Sequence, residues 1–297
     1  MKGLDIVKKE TVEILKDKNR IFDIKNDIAF KTVFLSKEGK GLLCEILSEL
    51  LKIDYYYVYE NIEIINGNVP SLDIKRVKSQ TDIICLVENN QFIVEMNNRY
   101  YEKSIYKNGY YLFSNYVEKA NNQNEYGKNL NTYLINIDNF DVIKKNEFIY
   151  TFSISEDKYK NILYKNIKII NINLDYLRKI EYTKYNKLEK LFKIFVETDI
   201  SKLKDLMGNR NIERVIRFMD KLKNHKDYMI EYDYEAFKAT EYEDALKENT
   251  ERNRREYEEK LEEKLEEQVI KMKQNNISNE IISNITGLSL EEIANIN

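Results

Sequence analysis

Thr81-Asp82-Ile83-Ile84-Cys85-Leu86-Val87-Glu88-Asn89-Asn90-Gln91-Phe92-Ile93-Val94-Glu95-Met96-Asn97 is the stretch on which the reading of this 297-residue chain turns. Two β-rich runs, Thr81 to Val87 and Phe92 to Asn97, flank Glu88-Asn89-Asn90-Gln91. Asparagine tolerates positive φ, so Asn89-Asn90 is the expected centre of a tight hairpin turn. With that centre Asp82 lies opposite Asn97 and Ile84 opposite Glu95. Strand side chains alternate, so Asp82, Glu95 and Asn97 project from one face. Glu95 is then the diagonal neighbour of Asp82, roughly 7–8 Å away between backbones, a gap that a shared cation can bridge. An unpaired carboxylate is costly to bury in an apolar strand, so each acid needs a partner or a cation. The alternative is a half-exposed sheet face carrying two solvated acids.

Outward from the hairpin, hydrophobic spacing gives the remaining elements. Ile28, Phe30, Val33 and Phe34, then Leu42, Leu43, Ile46, Leu47, Leu50 and Leu51, mark two helical stretches between Asp27 and Ile53. Asn26 suits the N-cap of the first, and the break is expected near Gly39 and Gly41. Ile62 to Ile65 reads as a short strand closed by Asn66-Gly67-Asn68-Val69-Pro70. Downstream come a helix of about five turns from Tyr101 to about Asn121 and strands at Thr132 to Ile137, Phe148 to Ile154 and Ile167 to Ile172. The order predicts a mixed α/β core. From Leu174 onward the pattern turns helical, and Tyr232 to Met272 reads as one long charged helix without a strict heptad. The tail carries Ile277, Ile281, Ile282 and Ile285, then Gly287 and a Ser289/Glu292 capping box, a small helical hairpin. The predicted organisation is a core over residues 1–180, a helical region at 181–230 packing on it, the long helix at 231–274 and the hairpin at 275–297.

Composition narrows the chemistry. One histidine, His225, and two cysteines, Cys44 and Cys85, exclude a multi-histidine or four-cysteine zinc site and a disulfide framework. The 8 glycines form neither a dinucleotide nor a P-loop fingerprint. Carboxylate, lysine, amide and tyrosine remain, an inventory that suits Mg²⁺, a hard cation with oxygen ligands. Mean hydropathy is -0.61, no apolar run reaches the roughly 20 residues of a membrane helix, and Met1 to Arg20 shows no signal sequence, so no membrane partner and a cytoplasmic location are expected. The net charge of -3 is segregated. Residues 231–268 carry 15 acids against 7 bases and residues 269–297 carry 3 against 2, leaving 33 acids and 39 bases in residues 1–230. The basic body is compatible with a phosphate-bearing partner.

Residues 26 to about 180 resemble the recombination-promoting nuclease (Rpn), transposase-like branch of the PD-(D/E)XK nuclease superfamily. The matching landmarks are Asn26-Asp27-Ile28-Ala29-Phe30-Lys31-Thr32-Val33-Phe34, Thr81-Asp82-Ile83-Ile84, Phe92-Ile93-Val94-Glu95-Met96-Asn97, Lys107-Asn108-Gly109-Tyr110-Tyr111 and Tyr126-Gly127-Lys128-Asn129-Leu130. The tail Ile285-Thr286-Gly287-Leu288-Ser289 is similar to the family's terminal helical hairpin. The resemblance implies a restriction-endonuclease-like mixed sheet flanked by helices, with an α-helical C-terminal extension, and a Mg²⁺- or Mn²⁺-dependent DNA endonuclease. Asp82 and Glu95 would bind the metal, which activates water for attack on the phosphodiester. Asp27 would match the family's early acidic position, and Lys31, one turn later, is either a phosphate contact or a solvated lysine. The superfamily's last motif position, usually Lys and in this branch often Gln, is here Asn97, which brings no charge. Lys103 or Lys107 would supply it from the following helix, where Lys107 or Asn108 stands nearest the family's arginine. The alternative is a degenerate member that binds DNA or protein without cleaving.

The remaining features have plainer expectations. Cys44 and Cys85 read as core thiols, and His225 as a residue ending a helix. The tyrosines at 55–57, 59, 100, 101, 106, 110, 111 and 116 read mostly as packing residues, with stacking on bases as the alternative. Glu291 and Glu292 would face phosphates with the wrong sign, so the C-terminal hairpin is expected to dock or to make a homodimer contact.

Overall fold

A computed structural model describes residues 17–68, 80–118 and 131–296. The chain divides into two compact units, Met1–Glu235 and Ala236–Asn297. The first is built on a six-stranded mixed sheet: β1 (Ile62–Asn68), β2 (Gln80–Val87), β3 (Asn90–Asn97), β4 (Asn131–Asp138), β5 (Ile149–Phe152) and β6 (Ile167–Asn173), in spatial order β1-β2-β3-β4-β6-β5. β3, β4 and β6 run parallel, and β1, β2 and β5 are antiparallel to their neighbours. The central strands are apolar on both faces because both are covered, as parallel strands require.

One face carries the main core. Ile83, Cys85, Phe92, Val94, Ile135, Ile137 and Ile172 pack there with α1 (Asp27–Phe34) and α2 (Lys37–Leu51). The helix α3 (Tyr55–Asn61) leads into β1. On the other face α4 (Glu102–Glu118) sets Leu112 against Ile93, Leu134 and Ile167. The helices that follow the sheet, among them α5 (Leu174–Lys179), α6 (Lys187–Phe192) and α7 (Arg210–Lys223), join the main core. Phe34 stacks on Phe195 there, with ring centroids 5.8 Å apart. Cys44 and Cys85 are free and buried, and His225 follows the end of α7, as expected.

Two local expectations are corrected. The Asn26 side chain accepts from Ile28 N and Ala29 N, capping α1, but the break between helices lies at Leu35-Ser36 and not at the glycines. Ser36 caps α2 and both glycines lie inside it. A Cβ on Gly39 would come within 2.0 Å of the Val33 carbonyl oxygen, and one on Gly41 within 2.2 Å of Asn211 Oδ1. Glycine is there for close approach. The hairpin turn is Glu88-Asn89, with Glu88 at φ 51°, and Asn90 pairs with Val87. Asn90 belongs to the strand because it also pairs with Asn131 at the start of β4, where Asn131 Nδ2 donates to Asn90 Oδ1. Relative to the expected register, partners shift by two residues, which preserves the face of every side chain. Continuing the register from Ile83 and Val94 sets Asp82 directly opposite Glu95.

The second unit takes most of the 49-residue α8 (Lys226–Gln274) together with α9 (Asn279–Thr286) and α10 (Leu290–Asn295). Its core is Val269, Ile282 and Ile293. Gly287, at φ 77°, ends α9 in the left-handed conformation, and Ser289 and Glu292 form the expected capping box. Lys273 donates to the Ile293 and Ile296 carbonyls, so this cation serves the hairpin itself. Among the described residues no helix is long and apolar enough to cross a membrane.

Candidate active site

Asp82 and Glu95 interlock across the hairpin. The Asp82 amide donates to Glu95 Oε1 at 3.0 Å, and the Met96 amide donates to Asp82 Oδ2 at 2.8 Å. Each carboxylate thus replaces a rung where the backbone ladder ends. Asp82 is 8% exposed and Glu95 1%. The free oxygens meet ammonium groups: Lys31 Nζ lies 3.2 Å from Asp82 Oδ1, and Lys107 Nζ 3.5 Å from Glu95 Oε2. Burial, helped by the nearby Asp27 charge, holds the Asp82 carboxyl above its ordinary pKa despite Lys31. Burial and the adjacent Asp82 charge raise that of Glu95, against the pull of Lys107.

Lys31 sits between two acids, 2.8 Å from Asp27 Oδ1 as well as beside Asp82. Burial pulls its pKa down, but the two carboxylates outweigh it and hold the ammonium above its ordinary value. Asp27 opens α1 and reaches Asp82 through Lys31. Lys107 projects from α4 and also lies over the Tyr111 ring at 5.3 Å. Lys103, one turn earlier on the same helix, is exposed.

Asn97 shares the strand with Glu95 but turns into a ring of side chains. Its Nδ2 donates to Asp138 Oδ1 at 2.8 Å, and its Oδ1 accepts from Asn108 Nδ2 at 3.4 Å. Asn108 Nδ2 donates to Asn136 Oδ1 at 2.9 Å, Asn136 Nδ2 to Asn171 Oδ1 at 3.0 Å, and Asn171 Nδ2 to Asp138 Oδ2 at 2.8 Å. All five residues are buried, and burial pushes the Asp138 carboxyl up to about 7 against the pull of its two amide donors. An ionised carboxylate only accepts. Both arms of the ring therefore run toward Asp138, Asn108 must donate both ways, and its Oδ1 is left buried without a partner among the described residues.

The structure places the two carboxylates and Asn97 on one hairpin and sets Lys31 and Lys107, but not Lys103, against the carboxylates. β4 adds no third acid beside them, because the residue paired with Glu95 there is Asn136. The sequence reading does not single out Asn136, Asp138 or Asn171. Their signal lies in Glu95-Met96-Asn97, Asn136-Ile137-Asp138 and Asn171-Ile172-Asn173, three polar-apolar-polar strand ends. The parallel register aligns them, Glu95 with Asn136 and Asn171, and Asn97 with Asp138 and Asn173. The Tyr126–Leu130 landmark lies outside the described residues.

Among the described residues no three histidine, cysteine or acidic side chains gather to enclose a metal. Asp82 and Glu95 are the two carboxylates that could hold one, through the oxygens that now face Lys31 and Lys107. That donor set fits Mg²⁺ or Mn²⁺, because such ions keep several waters and accept substrate phosphate oxygens alongside one or two carboxylates.

A mixed sheet covered by helices, with an acidic pair locked across its central hairpin, defines a restriction-endonuclease-like α/β fold of the nuclease class. The sequence profile of the PD-(D/E)XK nuclease family transposases matches residues 24–274, and the chain belongs to that family. Nucleases of this family generally use divalent metal ions. No curated protein and no solved structure matches the chain.

Proposed function

We propose that this protein is a Mg²⁺- or Mn²⁺-dependent DNA endonuclease acting in recombination or the movement of mobile elements. The observation that carries this reading is the interlocked pair Asp82 and Glu95, buried, mutually anchored by backbone amides and each faced by a lysine. Asp82 and Glu95 would hold the ion, which when bound supplies an activated water and neutralises charge on the leaving oxygen. Lys31, steadied by Asp27, and Lys107 bring positive charge to the phosphate. Lys107 thereby compensates for Asn97, whose side chain is committed to Asp138 and Asn108. Lys103, four residues from Lys107 and so on the same side of α4, extends this surface toward the DNA backbone.

That commitment of Asn97 also favours a second reading, a member of the fold that binds DNA or protein without cleaving it. Supercoiled plasmid nicking with Mg²⁺ or Mn²⁺ separates the two. The wild type nicks and Asp82→Ala and Glu95→Ala lose at least about a hundredfold of that activity, the range expected when a metal-ligand set is broken. Equal nicking by all three proteins would sink the endonuclease reading. The exposed Ile281, Ile285 and Leu290 are assigned to a homodimer contact through the C-terminal helices. Sedimentation would then show a dimer that Ile285→Asp dissociates, and a monomeric wild type would refute the assignment.

A further inference from the structure

The amide ring is the floor of a pocket of about 260 Å³ that the roles above do not use. It opens at the carboxyl ends of β3, β4 and β6, where ligands of parallel sheets collect. Tyr100, Phe140, Ile143 and Phe152 wall it with apolar and aromatic surface, and Tyr100 and Phe140 meet edge-to-face at 5.5 Å. Tyr100, Ile143 and Phe152 are nevertheless among the exposed hydrophobic residues. Beneath these walls the floor is built of buried polar side chains, and Asn108 Oδ1, covered among them, has no donor among the described residues.

Gly109 adds an independent observation. It lies inside α4, where glycine costs helix stability, and lines this pocket. Unlike Gly39 and Gly41, it is not required by close approach: a Cβ there would meet nothing within 4 Å among the described residues. A larger side chain there has room to grow beside the pocket.

Three properties describe the occupant. A volume below the roughly 300–1,000 Å³ of pockets for drug-sized ligands admits a single small ring system. Aromatic walls suit a flat one. The ring spends only one N–H each of Asn97, Asn136 and Asn171, so the floor holds spare N–H groups beside the acceptor Asp138 and suits an edge that mixes donors and acceptors. A nucleobase presents such a mixed edge, which in a duplex is engaged with the complementary base. Asn97 lines this pocket and is two residues from Glu95, so an occupant sits beside the candidate cleavage centre.

Resting on the endonuclease reading, we propose that the pocket receives one unpaired base of the DNA, so that Asp82 and Glu95 address a phosphodiester next to an extruded or unpaired nucleotide. Extrusion into a shaped pocket with stacking walls is an established way for proteins to hold a base outside the helix.

Fluorescence anisotropy with the full chain, Ca²⁺ replacing Mg²⁺, tests this without cleavage. Three labelled duplexes differ at one central place: fully paired, with an extra unpaired dG, and with an extra abasic unit. The dG bulge binds about tenfold more tightly than the abasic bulge, as loss of one stacked base predicts. Gly109→Phe, which fills the pocket, removes that preference while retaining affinity for the paired duplex, and Gly109→Ala keeps the preference. Thermal melts establish that both variants are folded. Equal affinity of the wild type for the dG and abasic bulges overturns the proposal, as does an undiminished preference in folded Gly109→Phe. Binding to all three duplexes alike defeats only the pocket, whereas binding to none defeats the endonuclease reading with it.

Discussion

Asp138 carries a tension that its neighbours cannot relieve. Asparagines at all five places could run head-to-tail around a closed ring, each giving one hydrogen bond and taking one. An acceptor-only carboxylate at one of them breaks that circulation and leaves Asn108 Oδ1 unsatisfied. Asp138→Asn restores it, and an orphaned buried polar atom costs about 1–3 kcal/mol, so the melting temperature of the variant should rise by several degrees. The pH dependence follows from the raised carboxyl. Its folded pKa, about 7, lies above the ordinary 3.8, so the native state retains a proton that the unfolded chain has lost between those values. Stability at this residue therefore falls as pH rises through that window and levels off above it. Melting curves at pH 5 and pH 8 should show the gap between Asp138→Asn and wild type widening at the higher pH. A gap that narrows would refute the account.

Glycines in different helices oppose each other in meaning at the element scale. In α2, Gly39 lets the helix begin against the Val33 carbonyl of the preceding one, and Gly39→Ala should destabilise by about 1–3 kcal/mol through overpacking. In α4, Gly109→Ala meets open space and should stabilise by about 0.5–1 kcal/mol. Urea midpoints that moved in the same direction for both would contradict these assignments. The same letter in a sequence suggests a break in either place, because what stands opposite the missing Cβ is a tertiary fact. The hairpin shows the complementary case. Its turn lies one residue earlier than the asparagine pair suggests, yet Asp82, Glu95 and Asn97 still share a face, since a partner shift of two residues leaves strand alternation intact.

Across the whole molecule the charge segregation follows the division into units: the basic body precedes the acidic α8 and the hairpin. Each unit has its own hydrophobic centre, from Ile21 through Tyr232 in the first and around Val269, Ile282 and Ile293 in the second. Separate cores imply separate folding. A chain ending at Glu235 should therefore melt cooperatively and, on the endonuclease proposal, nick plasmid as the full chain does, and a truncated chain that is unfolded by circular dichroism would show that the units depend on each other.

Local pattern alone determined most of the order of strands and helices, α3 excepted, the Asn26 and Ser289 caps, the narrowing of the residue inventory to carboxylate, lysine, amide and tyrosine, and the gathering of Asp82, Glu95 and Asn97 on one hairpin. These are properties of neighbours in sequence, governed by periodicity, capping and composition. Only the tertiary structure decided that Lys31 and Lys107 face the two carboxylates, that Asn97 is held by Asp138 and Asn108, and that four amides and an acid enclose a polar floor. The members of that ring are scattered along the chain from Asn97 to Asn171. Their meeting depends on the parallel register of β3, β4 and β6 and on where α4 crosses that sheet, and no local propensity encodes either.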